Sequence, residues 1–343
     1  MKFCADLKKR YFVLLPILIV FFFCTFSLAP TIGSAKIDLT RAFDFSLRFR
    51  ENMDAQIFFI ARLPRVILAA LTGAALAVAG LVFQAVLKNP LATPYTLGIA
   101  SGASLGAVIS IRAGIVFMAF GLSSLTLSAF SGALLTVCLI YLMSKRKDYL
   151  PTAVMLLAGV ALSFLFSALI LFVHYLSDFT QSYQMLRWLM GGLDIIDYKL
   201  IVNILPAVLL SLVLLVSIAK ELNLLSSGEE LAASRGVNVG RTKKIAYFAA
   251  SLMTAAVVSL SGPIGFIGLI IPHILRLLIG ADNRLLMPAA IFFGAGFLII
   301  CDTIARTIIA PLEIPVGIIT AILGCPFFIW LLLREKRRVV FKS

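Results

Sequence analysis

The sequence is short of charge. Only 13% of its 343 residues are Asp, Glu, Lys or Arg, against about 25% in a soluble domain. Histidine is nearly absent: His174 and His273 are the two in the chain. A histidine-built metal centre or a Ser–His nucleophile therefore has almost no material, and nothing in the sequence brings Ser101 to His273. Neither a GxxxxGK[ST] phosphate loop nor an HExxH motif occurs, which removes a P-loop ATPase and a zincin from consideration. The five cysteines (4, 24, 138, 301 and 325) have no CxxC pairing or metal spacing. Four lie in or beside apolar runs, where cysteine serves as a small hydrophobe. No acidic residue sits mid-span in a proton-relay pattern. The nearest, Asp302, lies close to the end of a run and four residues before Arg306, the favourable order for a local ion pair. An ion-coupled carrier, which usually shows intramembrane charges, is thus the less favoured alternative.

What remains is apolar. Hydrophobic residues make up 61% of the chain, and the mean hydropathy is +1.07. Continuous runs fall near 11–29, 60–83, 95–113, 116–143, 152–176, 198–219, 244–262, 264–280, 286–304 and 314–333. They are continuous rather than alternating, so they predict an all-α polytopic membrane protein of ten spans, not a β-barrel. The first run follows a basic tail but exceeds the ~7–15 residues of a signal-peptide core, and is read as a retained span. The net charge of +14 does not suggest nucleic acid, because most basic residues flank spans. Basic clusters at 8–10, 145–147, 241–244 and 334–338 all fall after an even number of spans. With both termini cytoplasmic, ten of the 30 Lys and Arg residues lie outside (36, 41, 48, 50, 62, 65, 112, 187, 199 and 306) and the rest inside, as the positive-inside rule requires. The chain reads as one membrane-spanning domain over residues 1–343.

Three stretches ask for more than spanning. The longest polar passage between runs, 221–244, carries the marks of a short helix over 228–235. Ser227 and Glu230 have the spacing of a capping box, Glu229 and Glu230 sit where the helix dipole favours anions, Arg235 lies in the last turn, and Gly236 stands at the left-handed position after it. A helix with defined ends in a cytoplasmic loop suits a grip on a soluble partner. The second stretch, Arg62-Leu63-Pro64-Arg65, starts a span on the outside, against the usual charge bias. These arginines either snorkel to headgroups or meet an acidic partner, to which a guanidinium is well matched. The third, Asn89-Pro90-Leu91-Ala92-Thr93-Pro94, is a cytoplasmic hairpin stiffened by two prolines, either a plain turn or a gate. Ala69, Gly73, Ala77 and Gly80 share one helix face, as do Gly102 and Gly106. Small residues so spaced let helices approach closely in lipid, with a pore lining as the other reading.

Together RLPR at 62–65, GAALAVAG at 73–80, Gln84, NPLATP at 89–94, LGIASGASLG at 97–106, WLMGG at 188–192, GEELAASRGV at 228–237, SGPIGFIGLIIPHILRLLIGADNR at 261–284, DTIAR at 302–306 and EIPVGIITAILGCPFFIWLL at 313–332 resemble the FecCD permeases. These are the membrane subunits of ABC importers for iron–siderophore, haem and vitamin B12. The resemblance runs from about residue 60 to the C-terminus. It implies a permease dimer in a bacterial inner membrane, with one pathway at the dimer interface. It also implies two separate cytoplasmic ATPase subunits and an extracytoplasmic binding protein that delivers an iron chelate or cobalamin. The chain itself would be no enzyme and hold no cofactor or metal, with ATP bound by the partner. By position, Arg62, Arg65 and Arg306 would meet acidic side chains of the binding protein. Gly228, Glu229, Glu230, Leu231, Ala232, Arg235 and Gly236 would form the ATPase-coupling helix, with Leu231 and Ala232 on its contact face. Asn89, Pro90 and Leu91 would form the cytoplasmic gate. Ser177 and Asp178 fall near the external gate, where an aspartate departs from the family's small polar pair.

Overall fold

Backbone in hydrocarbon has no water to bond to, so each long apolar run closes its hydrogen bonds within a helix. The computed structural model describes residues 2–44, 46, 48–119, 121–145, 151–194 and 197–340. In chain order its helices are α1 (Lys2–Leu28), α2 (Leu39–Ala42), α3 (Met53–Gln56), α4 (Leu63–Leu87), α5 (Ile99–Ala113), α6 (Ser124–Ser144), α7 (Thr152–Tyr175), α8 (Phe179–Leu189), α9 (Tyr198–Ser217), α10 (Ala219–Ser227), α11 (Glu229–Ser234), α12 (Val239–Ser261), α13 (Ile267–Ile279), α14 (Asn283–Thr307) and α15 (Val316–Val340). A two-residue antiparallel hairpin, β1 (Met118–Ala119) with β2 (Leu122–Ser123), joins α5 to α6. Among the described residues, seven helices are long and apolar enough to cross a membrane, and α5, α13 and residues 316–331 of α15 are shorter apolar helices. Each of the ten runs is therefore helical. Their limits shift where local chemistry dictates. Residues 116–119, 122 and 123 lie outside α6, which Ser123 caps by accepting from Thr126 N, and the sixth run ends at Ser217. Arg146 and Lys147, part of the basic cluster after α6, lie outside the described residues.

The second span begins earlier than the sequence suggests. Asn52 caps α3 by accepting from Ala55 N at 3.1 Å, and helix continues from Met53 to Leu87. The segment between α3 and α4, Ile57–Arg62, is wound as a π-helix. Pro64 has no N–H for a carbonyl one turn back and its ring crowds that carbonyl, a strain that a locally wider helix relieves. Arg62 and Arg65 thus sit more than a turn inside a helix rather than at its exposed N-terminus.

α4 is the central element, flanked by α12, α13 and α14, while α5 packs on α6 and α7, and α1 on α14. The small-residue face explains the closeness. A methyl group at Gly73 would stand 2.2 Å from Gly294 O, and one at Gly80 would stand 2.0 Å from Gly268 O. Helix packing, not a pore lining, accounts for this stripe. α7 and α9 leave much of their apolar surface bare, including Leu157, Phe164, Leu171, Val202 and Val213, as contact with lipid or a second copy requires.

One crossing is broken. α13 is about 20 Å long at 1.5 Å per residue, shorter than the ~30 Å hydrocarbon core. The missing length is residues 262–266, entered at Gly262 (φ 64°) and left at Phe266 (φ 68°). Non-helical backbone at that depth is tolerated where protein covers it. Here Gly192 N donates to Ser261 O at 2.8 Å and Gly317 N to Gly191 O at 3.3 Å, so three glycine-bearing segments close on one another.

Candidate functional site: two charged ends of one bundle

At the end that carries the α1–α3 connection, the three expected docking arginines are not solvent-facing. Arg62, Arg65 and Arg306 are 5%, 7% and 3% exposed. Arg65 is a hub. Its Nε donates to both oxygens of Asp302, at 2.9 and 3.1 Å. Its Nη1 lies 2.9 Å from Asp194 Oδ1 and 2.5 Å from Glu313 Oε2. Arg306 Nε lies 3.1 Å from Asp302 Oδ2, and its Nη groups donate to the carbonyls of Ala29 and Ile32. Arg62 donates to Pro30 O at 3.0 Å and to Ala35 O. The Asp302–Arg306 pair inferred from i,i+4 spacing exists, and it is buried. The physical reason is that chain leaving α1 lies across these side chains and supplies carbonyl acceptors. Asp194 and Glu313, half-exposed partners of Arg65, were not singled out in the sequence, because both follow glycine- or proline-bearing turns with no periodicity to mark them. Arg187 completes the set, its Nη2 reaching Asp194 Oδ2 at 3.1 Å. Four guanidinium groups against three carboxylates leave the end cationic. Beside it, a cavity of about 460 Å³ is lined by Arg187, Trp188, Asp194 and Ser261 among others. Asp178 caps α8, accepting from Gln181 N at 2.8 Å, and Ser177 donates to Val173 O.

At the opposite end, α10 is anchored before the loop turns. Asn223 Nδ2 donates to Asp282 Oδ1 and its Oδ1 accepts from Asn283 N, both at 2.7 Å, while Leu222 and Leu225 are buried. The capping box is absent. Ser227 closes α10, and its hydroxyl donates to Asn223 O at 3.2 Å. The residue preceding α11 is Gly228, at φ 144° with no capping side chain. The helix is consequently Glu229–Ser234, shorter than the 228–235 expected, with Arg235 at its end and Gly236 left-handed at φ 81° as anticipated. Ala232 faces inward at 0% exposure, so it belongs to the bundle and not to an outer contact face. Leu231 points out at 42%.

Glu229 binds this helix to the rest. Its Oε1 lies 2.8 Å from Nζ of Lys243, whose side chain is 1% exposed, and 3.3 Å from Nζ of Lys88. Burial raises the Glu229 carboxyl, but Lys243 and then Lys88 outweigh it, and the net value lies below the usual carboxylate range. Lys88 stands at the left-handed turn (φ 50°) between α4 and the Asn89-Pro90-Leu91 hairpin. There Asn89 Oδ1 accepts from Leu91 N at 2.9 Å and Asn89 O from Ala92 N at 3.0 Å, an Asx-type turn. Pro90 and Leu91 are exposed. One carboxylate therefore ties the proposed coupling helix to the base of the proposed gate. One helical repeat before that base, Gln84 holds α4 to α13, donating to Gly268 O at 3.0 Å and accepting from Arg276. A Glu229–Lys88 contact spans 141 residues of sequence, so no local pattern announces it.

The chain as a whole is similar to known proteins. The family described as the FecCD transport family matches residues 17–334. The cobalamin import system permease protein BtuC of Halobacterium salinarum is 40% identical over 303 residues, covering 88% of this chain and 80% of that protein. The hemin transport system permease protein HmuU of Yersinia pestis is 40% identical over 288 residues, 82% of this chain and 84% of that one. A solved structure of an ABC transporter of metal-chelate type, in an inward-facing conformation, superposes with a TM-score of 0.80 at 31% identity, covering 94% of this chain and 99% of that chain. On the extent of these matches and on its helical architecture, the chain belongs to the FecCD transport family and is a membrane-spanning permease of the ABC type.

Proposed function

We propose that this permease imports an iron chelate, such as a siderophore complex or haem, or cobalamin, using ATP hydrolysed on a separate cytoplasmic subunit. Two copies of the chain, or this chain and a paralogue, enclose the pathway, and a binding protein delivers the cargo from outside. The termini lie in the cytoplasm of a bacterial cell, with α10–α11 on the same side. The observation that carries this reading is the Glu229 link. A short helix presents Leu231 outward and is fastened by one carboxylate to α12 and to Lys88, beside the hairpin gate formed by Asn89, Pro90 and Leu91. A push on α11 from an ATPase thus reaches the hairpin through rigid, short contacts.

Arg62, Arg65 and Arg306 serve docking from a buried position. Asp194 and Glu313 cover Arg65 with side chains 45% and 41% exposed, and acidic groups of an arriving binding protein exchange with them. Arg62 and Arg306 hold the 29–35 segment that frames the entrance.

The test is Gly236→Val, assayed for ATPase co-purification and uptake. A β-branched residue disfavours the left-handed turn that ends α11, and open space around Gly236 rules out a steric clash as the cause. Loss of both activities at normal expression is expected. Full retention of both would reject the coupling assignment.

A further inference from the structure

We infer that a second cavity at the coupling-helix end binds the phosphate headgroup of an anionic lipid, drawn from the cytoplasmic leaflet. It encloses about 600 Å³, within the ~300–1,000 Å³ of small-ligand sites. It lies where the end of α9, the start of α10 and the turn from α11 into α12 meet. Its walls are of two kinds. Leu214 and Leu224 make one side apolar; Lys220, Arg235 and Arg241 line the other with cations. Leu214 continues the exposed apolar stripe of Leu210, Val213 and Val216 on α9, an apolar helix of 20 residues whose bare face meets acyl chains. A molecule in this cavity therefore touches hydrocarbon and positive charge together, which a phospholipid does and a free ion does not. All three cationic side chains are exposed, and none has an ion-pair partner among the described residues. The fourth charge on the wall is Glu221, one of whose carboxylate oxygens is buried without a hydrogen-bond partner among the described residues. Three cations against one carboxylate leave two positive charges for a phosphate. The orphan oxygen is an acceptor for a headgroup donor, and phosphatidylglycerol, an anionic lipid whose headgroup carries hydroxyls, is the probe that supplies one. Basic pockets between spans on the cytoplasmic side have this electrostatic preference in general. The inference rests on the proposed cytoplasmic placement of this end.

The experiment uses the full-length permease purified with its ATPase from bilayers of phosphatidylcholine and phosphatidylglycerol, with retained lipid counted by native mass spectrometry. Preferential retention of phosphatidylglycerol is expected. The double variant Lys220→Ala, Arg241→Ala should lower that preference by roughly fivefold per lost cation. Glu221→Gln removes the opposing charge but keeps an acceptor, so it should raise retention; this opposite sign separates binding from misfolding. Equal retention of the two lipids, or an unchanged double variant, would overturn the proposal. Displacement by inorganic phosphate would show a free-anion site instead. Loss of ATPase co-purification with lipid retention unchanged would assign the surface to the ATPase. Placement is read separately: Ser226→Cys should react with an impermeant maleimide only in permeabilised cells. Labelling in intact cells would overturn the topology, whatever the lipid counts show.

Discussion

Replacing Asp302 by Asn probes the buried charge cluster with almost no change of shape. Asp302 is 0% exposed and, among the described residues, is the one carboxylate in ion-pair contact with both Arg65 and Arg306. In the variant, Arg65 keeps Asp194 and Glu313, but Arg306 is left with carbonyls and the Thr303 hydroxyl, facing a second guanidinium across a neutral amide. Removing one partner of a buried pair costs about 3–5 kcal/mol, because an uncompensated charge stays inside. The two remaining carboxylates on Arg65 place the expected loss near the lower end, about 3 kcal/mol. The assay is denaturant unfolding of the purified permease in detergent, followed by a double-mutant cycle with Arg306→Gln. The double variant should lose less than the two single losses combined, since each single variant strands the other's charge. A loss under about 1 kcal/mol, the range of exposed pairs, together with additive behaviour, would refute the argument that these groups act as a buried unit.

The remaining expectations concern coupling, gating and docking. Glu229 has a folded-state value below the ordinary carboxylate range, so its contribution is full above that range and is lost as pH falls through the lowered folded value. Proteolysis of the α10–α12 loop should therefore accelerate on acidification, and Glu229→Gln should be protease-sensitive at neutral pH with little further response; a wild-type loop indifferent to pH would count against the clamp. Leu91→Ala should raise cargo leak through reconstituted permease without ATP, because a constriction lined by smaller groups wets more readily; an unchanged leak would return the hairpin to a plain turn. Glu313→Ala with Asp194→Ala uncovers Arg65, and should speed association of the binding protein and steepen its salt dependence. An unaltered rate and slope would make Arg65 a purely internal strut.

Much of the architecture was legible because hydrocarbon imposes one answer on a long apolar run. The ten helices, the packing role of Gly73 and Gly80, and the left-handed Gly236 all follow from local composition and spacing. Chemistry that depends on distant chain was not legible. The arginines at 62, 65 and 306 carry the mark of unusual outside charge, yet what buries them is residues 29–35, Asp194 and Glu313, from three other parts of the sequence. The capping box at Ser227 failed because the spacing is satisfied equally by the end of a preceding helix, and α10 claims the hydroxyl first. The expected contact face pairs Ala232 with Leu231, but consecutive helical residues lie about 100° apart, so the two need not share a face. Lys88 and Lys243 looked like flanking charges, and only the folded chain brings them to Glu229.

The account stands or falls on what drives transport. Proteoliposomes holding the permease with its ATPase, loaded with ATP and supplied outside with binding protein and radiolabelled ferric siderophore, haem or cobalamin, measure this directly. Uptake of at least one of these cargoes should require ATP, the ATPase and the binding protein together, and should survive ionophores that collapse proton and sodium gradients. Uptake by the permease alone, driven by an imposed ion gradient and abolished by the ionophore, would contradict it.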